Sequence, residues 1–347
     1  MRKTWDWLLF SQIIASGLIS LLILYSMSKG LATNQLIYWI IGLCIFYIVA
    51  HLDYHIWQSL SKIFYIVSIL LLLILFFTGD PIRGSVRWID LGFFKIQPSE
   101  LAKASTILAL ASFFRERSAK EINNVLLSLL LILPPFILVF IQPDIGSSLT
   151  FLAIWLGIVL VSGFKLKHII LLILASAIFI ASFYEVLAPY QKQRISTFIS
   201  PQRDPLGTGY NIIQSKIAIG SGNLLGKGFG KGSQSQLQFL PEAESDFMFA
   251  SISEQLGLIG AGFLVIIFTW LISRIITITR DKKRYEQLLI IGIATLLIAQ
   301  FTINVGMNLA LLPVTGIPFP LISYGGSSLI TTLFLLGLVF AINRDRS

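Results

Sequence analysis

Residues 237–257 read LQFLPEAESDFMFASISEQLG, and residues 256–273 continue as LGLIGAGFLVIIFTWLIS. The second stretch is eighteen residues long and carries no charge. A bilayer core of about 30 Å is crossed by roughly 20 apolar residues in helical form, so this run decides the class: a membrane-spanning helix. Just before it one carboxylate, Asp246, stands among Phe247, Met248 and Phe249. A carboxylate at a membrane edge is costly unless it has a task or a partner. Asp246 is therefore the first candidate for chemistry.

Composition extends the reading to the whole chain. Of 347 residues 55% are hydrophobic and 12% charged, against about 25% charged in soluble domains. A soluble core of this length could not hide so much apolar surface. Ten apolar stretches are long enough to span, at about 7–28, 34–51, 60–78, 98–115, 124–141, 145–163, 167–188, 250–273, 285–307 and 320–342. The expected fold is all-α: a single polytopic membrane domain over residues 1–347, with a large extracytoplasmic loop, 189–245, between spans 7 and 8. Arg2 and Lys3 before the first stretch read as the flank of an uncleaved first span.

The net charge of +9 reflects topology and not nucleic acid. With the N-terminus inside, the short outside loops carry only Lys29, Arg83, Arg87 and Lys95, while fifteen Lys and Arg fall inside. The positive-inside rule then places both termini in the cytoplasm and the loops at 79–97, 189–245 and 308–319 outside. The single cysteine, Cys44, excludes an intramolecular disulfide, and three scattered histidines make no metal cluster.

Five stretches carry polar residues that packing alone does not call for. In RGSVRWIDLGFFKIQPSELAK, 83–103, Pro98 suits a helix start, and Glu100 and Lys103 share a face three residues apart. Such a pair inside the boundary is either a functional site or an ion pair that fixes packing. Gln97 and Ser99 flank Pro98. Arg87 is a candidate phosphate ligand, Arg83 an interface anchor, and Trp88 a belt residue. The long loop holds eight glycines between 207 and 232, among them GKGFGKG, 226–232. Its backbone N–H groups and Lys227 could face an anion, or it is a flexible turn; residues 210–219 form an amphipathic helix suited to the membrane surface. Asp246 has Glu242 and Glu244 close by, and neighbouring carboxylates with partial desolvation favour a general base; the bland alternative is a helix N-cap. In QPDIGSS, 142–148, Asp144 reads as a helix cap. In NLALLPVTGIPFPLISYGGSS, 308–328, three prolines and three glycines break an apolar region. Irregular backbone at membrane depth survives where it lines a cavity, near Ser323, Ser327 and Ser328.

Taken in order, RWIDLG…QPSELAK, QPDIGSS, LPEAESDFMFA and LLPVTGIPFPLISYGGSS resemble the SEDS family (shape, elongation, division and sporulation). The form PVTGIP is more similar to the elongation members than to the division members. The resemblance implies a peptidoglycan glycosyltransferase that polymerises lipid II at the outer face of the bacterial cytoplasmic membrane. It works there with a class B penicillin-binding protein and other membrane proteins of the elongation machinery. The family's essential Asp matches Asp246, and its Glu and Lys of the fourth span match Glu100 and Lys103. ESD, 244–246, departs from the family's usual H-T-D-like triplet.

The chemistry then expected is a single inverting displacement with Asp246 as base. Lys103, Arg87, Arg194 and Lys227 are candidates for the leaving pyrophosphate, and Gln97, Ser99, Glu100 and Ser323 for the rest of the substrate. No cofactor is assigned; a divalent cation beside the pyrophosphate is left open, without a ligand set. A lipid II flippase is the competing reading, since broken helices and buried charge also suit a transporter. A pure scaffold would leave Asp246, Glu100 and Lys103 unexplained.

Overall fold

The computed structural model describes residues 5–78, 87–90, 92, 95–165, 197–198, 200, 202 and 209–345. The chain runs α1 (Trp7–Met27), α2 (Lys29–His51), α3 (Tyr54–Thr78), β1 (Ile89–Asp90), β2 (Lys95–Ile96), α4 (Pro98–Glu116), α5 (Ile122–Ile141), α6 (Ile145–Val161), α7 (Tyr210–Ser221), α8 (Ser233–Gln236), α9 (Met248–Thr277), α10 (Arg284–Asn308) and α11 (Gly326–Arg344), with a 3-10 turn at Ile278–Asp281 after α9. Nine of the ten apolar stretches fall on these helices; the seventh, 167–188, lies outside the described residues. Seven of the described helices are long and apolar enough to cross a membrane. α6 is apolar but short. α4 is more polar and almost wholly buried. The chain is a multi-pass, all-α membrane protein.

Local chemistry sets the helix ends. Asp6 caps α1, its Oδ1 accepting from Leu9 N at 3.1 Å, and its other oxygen receives the Arg274 guanidinium at 2.9 Å. Pro98 opens α4 at a position where its missing N–H costs nothing. Asp144 caps α6 through Ser147 N at 3.0 Å, as its sequence context suggested. Glu286 accepts from the Lys283 N–H at 3.1 Å and closes the start of α10.

The outward faces of α1, α2, α3, α5 and α9 expose large apolar side chains such as Leu18, Ile37, Ile63, Leu130 and Ile266. Only a hydrocarbon solvent makes that arrangement stable. α4, α10 and α11 form the interior. With lipid as apolar as leucine, close approach at small residues holds such helices together. Gly42 of α2 lies against Leu333 of α11, and a Cβ on Gly157 of α6 would come within 2.2 Å of Thr295 Oγ1 of α10.

Three features depart from the sequence reading. A two-residue antiparallel hairpin, Ile89 opposite Ile96 and Asp90 opposite Lys95, precedes α4; two-residue strands carry no periodicity to detect. The last helix begins at Gly326, not at 320, because 309–325 stays irregular around its prolines and glycines. Finally, α9 is broken: Gly257 has φ 67° and ψ −167°, so residues 248–256 form a separate half-helix at its N-terminal end.

Candidate active site

The half-helix 248–256 begins one residue beyond its N-cap, Phe247. Asp246 is thus not the cap that its position allowed; the helix starts past it. The Asp246 backbone carbonyl is instead clamped by α10, accepting from Asn304 Nδ2 and Asn308 Nδ2, each at 3.0 Å. Asn308 Oδ1 accepts from Ala250 N at 3.0 Å, which fixes the first turn as well. Asn304 also donates to Ile317 O at 2.8 Å. These two asparagines lie one turn apart on an apolar helix and are fully buried. Their signal is that spacing, an i, i+4 polar pair inside a span, and the motif reading passed over it.

The irregular segment 309–325 packs over Asp246 from the other side. Ser323 Oγ donates to Ser245 O at 2.5 Å and accepts from Phe319 N at 2.9 Å. Tyr324 N donates to Glu244 O at 2.8 Å. Ser323, expected as a substrate contact, is thus occupied with holding the two segments together. Gly316 has φ 75°, and a Cβ there would lie 3.5 Å from Asp246 Oδ2, so the bare backbone leaves the carboxylate room. Asp246 itself is half-buried, with Phe247, Met248 and Phe249 behind it fully covered. Among the neighbouring carboxylates, Glu242 accepts from Ser245 Oγ at 3.0 Å.

α6 and the residues before β1 reach the same region. A Cβ on Gly146 would come within 2.7 Å of Thr315 O, so the start of α6 abuts the segment over Asp246. There Arg87 donates to Pro143 O and lies 3.9 Å from Asp144 Oδ2. Its Nε is buried without a hydrogen-bond partner. The hairpin β1–β2 is tied to the start of α11: Ser327 Oγ donates to Lys95 O at 2.8 Å and accepts from Gln97 N at 3.1 Å. Gln97 therefore joins α4 to the irregular segment through its backbone. Within the hairpin, the Gly92 N–H, 2.7 Å from Asp90 Oδ1, and then Lys95, hold the Asp90 carboxyl below its ordinary value.

Glu100 and Lys103 meet as expected, Nζ to Oε1 at 2.7 Å, with residue exposures of 2% and 1%. Beside them the buried Ser99 and Thr106 hydroxyls have no partner. A desolvated ion pair flanked by unsatisfied hydroxyls has spare donors and acceptors for a polar ligand.

Two further anion ligands were expected. Arg194 lies outside the described residues. Lys227 is committed elsewhere: its ammonium bonds Glu254 Oε1 and Ser233 Oγ, both at 2.9 Å. GKGFGKG folds against the break in α9. α7 is more than a surface helix, since Ser215 Oγ donates to Asn308 O at 2.8 Å and so ties α7 to the end of α10.

Comparison with known proteins agrees with this architecture. Residues 6–347 match the family described as "Cell cycle protein", named for FtsW, RodA and SpoVE. The chain is similar to "Peptidoglycan glycosyltransferase MrdB" of Escherichia coli (strain K12), 38% identical over 308 residues that cover 88% of this chain and 83% of the relative. Its fold is similar to the Thermus thermophilus rod shape determining protein RodA, at a TM-score of 0.76 and 29% identity, over 99% of this chain and 98% of that one. A chain in "Structural coordination of polymerization and crosslinking by a peptidoglycan synthase complex" gives a TM-score of 0.88 and 30% identity with the same coverage. A match over almost the whole length makes this chain a member of the FtsW/RodA/SpoVE family.

Proposed function

We propose that Asp246 is the general base of an inverting glycosyl transfer that polymerises lipid II. The observation that carries this reading is the clamp on Asp246: a half-buried carboxylate on the last residues before a half-helix, its carbonyl held by Asn304 and Asn308. The chain is a peptidoglycan glycosyltransferase, in keeping with the name of its relative MrdB. The topology drawn from the Lys and Arg distribution puts Asp246 at the outer face of the cytoplasmic membrane, with both termini inside.

Asp246 takes the proton from the C4 hydroxyl of the acceptor N-acetylglucosamine. That oxygen attacks the anomeric carbon of the lipid-linked strand, and undecaprenyl pyrophosphate leaves with its bonding electrons. One displacement inverts the anomeric centre, so one base suffices and no covalent intermediate forms. Proton transfer of this kind contributes about 10²–10⁴-fold. The departing pyrophosphate needs preorganised donors. Arg87 Nε and Ser99 Oγ, buried and unbonded, and Lys103 are the groups we assign to it. Among the described residues the His and Asp set spaced for a metal is Asp53, His55 and Asp345, at the junction of α2 with α3 and the end of α11. The mechanism gives a cation no step.

We assign a class B penicillin-binding protein as partner, supported by the neighbour's place in a complex that joins polymerization to crosslinking. The flippase reading is not favoured: the two backbone breaks described, at Gly257 and across 309–325, fall in one half of the chain, whereas transporters place theirs in corresponding positions of two repeats.

The test is purified chain in liposomes with lipid II, alone and with the cognate class B penicillin-binding protein. Muramidase-sensitive glycan is expected. Intact lipid II crossing the bilayer with no glycan formed would replace the enzyme by a transporter.

A further inference from the structure

The break in α9 leaves backbone groups without helical partners, and a polar group unsatisfied at membrane depth is costly. The glycine-rich loop supplies every one of the bonds described there. Glu254 O accepts from Lys227 N at 2.9 Å and Gln255 O from Gly228 N at 3.1 Å; Leu258 N and Ile259 N donate to Asn223 O and Leu224 O at 2.9 and 3.2 Å. Such backbone-to-backbone contact admits no side chain. A Cβ on Gly226 (φ 81°) would meet Gln255 O at 2.2 Å, and one on Gly257 would meet Gly226 N at 2.3 Å.

Glu254 carries the contact further. Its carboxylate is fully buried and accepts from Lys227 Nζ at 2.9 Å, Gln234 N at 2.9 Å, Ser235 N at 3.0 Å and Ser235 Oγ at 2.9 Å. It thereby caps α8 from a neighbouring element. Gln234 O in turn accepts from Leu240 N at 3.0 Å. Leu240 packs with Ala243, Phe247 and Ala250 in one small apolar cluster. The stretch 234–246 is therefore suspended between two anchors, Glu254 at one end and the asparagine clamp on Asp246 at the other.

Resting on the proposed role of Asp246, we infer that Glu254 and Lys227 are positioning residues for that base. They touch no reacting atom. Their ion pair locks the loop into the break, holds the half-helix 248–256 in place and fixes the approach of 234–246 to Asp246. The sequence reading of Lys227 as a pyrophosphate ligand makes a different prediction. A direct ligand affects substrate affinity on its own; a positioning pair affects the rate, and both partners do so together.

The experiment measures lipid II polymerisation by the full chain with its partner, for wild type, Asp246→Asn, Glu254→Gln, Lys227→Met, Lys227→Arg and Ser235→Ala. A misplacement of about 1 Å costs about 100-fold in rate, so Glu254→Gln and Lys227→Met are expected to lower kcat by about that factor with KM for lipid II unchanged. Lys227→Arg restores most of what Lys227→Met loses. Ser235→Ala, which removes one bond to Glu254, gives a smaller loss. Hydrogen exchange at 240–247 quickens in Glu254→Gln while α10 stays protected. Lys227→Met with raised KM and intact kcat, or Glu254→Gln at wild-type kcat, overturns the inference. Should Glu254→Gln not fold, a folded Ser235→Ala at wild-type kcat overturns it equally. A polymerising wild type beside an inert Asp246→Asn sinks this inference alone when Glu254→Gln is indifferent. An inert wild type sinks the underlying reading with it.

Discussion

At the scale of single residues the proposed chemistry falls to Asp246, and its geometry to the side chains that hold it. Asn304→Ala removes a buried donor to Asp246 O and to Ile317 O. Each lost hydrogen bond of this kind costs about 0.5–1.5 kcal/mol, but the larger effect falls on geometry. The polymerisation rate should drop well beyond the change in thermal midpoint, and steady-state kinetics beside a melting curve reads both. For Glu100 and Lys103, removing one partner leaves an uncompensated buried charge, at about 3–5 kcal/mol. Lys103→Met alone should therefore unfold at markedly lower temperature. Glu100→Leu combined with Lys103→Met should regain that stability and still fail to polymerise, if the pair meets substrate as proposed. Recovery of both would reduce the pair to a packing device. In the hairpin, Asp90 has its carboxyl lowered by the Gly92 N–H. A lowered carboxyl stabilises the fold above its unfolded pKa and loses that contribution as pH falls through the folded value. The protection factor of the Gly92 amide, its exchange rate divided into the intrinsic rate at the same pH, should thus fall only in acid and stay flat across neutral pH.

At the scale of elements, what was legible was hydrophobic length, and what was not was interruption. Apolar runs located nine helices because burial in lipid demands length above all. The same criterion ran the last helix back to 320, since Phe319, Leu321 and Ile322 are apolar and fully buried without being helical. The break at Gly257 sat inside an uncharged run and left no trace in hydropathy. At the site, Asp246, Glu100, Lys103, Arg87 and Ser99 were nameable from their charge or position. The ion pair of Lys227 with Glu254 was not legible, because a lysine in a glycine run looks free until its partner folds onto it. Asn304 and Asn308 were missed because amides on a span look like tolerated polarity. Two substitutions test the element account. Gly157→Ala meets Thr295 at its Oγ1, Cγ2 and Cβ, and overpacking of this kind costs about 1–3 kcal/mol. Gly257→Ala combines a positive φ with backbone atoms of Gly226 and Leu224 in the way; it should abolish folded yield, measured by size-exclusion of detergent-solubilised protein.

At the scale of the whole molecule, the charge asymmetry predicts an orientation for the bundle, and the proposed function requires Asp246 on the outer face. Cys44 is the chain's one cysteine, so Cys44→Ser provides a background for placing single cysteines. Leu225→Cys, on the loop against the N-terminal half of α9 where the residue is 79% exposed, should react with a membrane-impermeant thiol reagent in intact cells. Lys120→Cys, between α4 and α5, should react only after lysis. Reaction of Lys120→Cys alone in intact cells would invert the topology and put Asp246 on the wrong side for a wall polymerase.

The central claim is that one carboxylate does the chemistry, and it is tested most directly by Asp246→Asn. The amide keeps the shape of the side chain, and the clamp on the backbone carbonyl is untouched. In lipid II polymerisation with the partner present, the account predicts a wild type that forms glycan and a variant, folded to the same melting temperature, whose rate falls by at least about 10²-fold. Asp246→Asn polymerising at near the wild-type rate would contradict it.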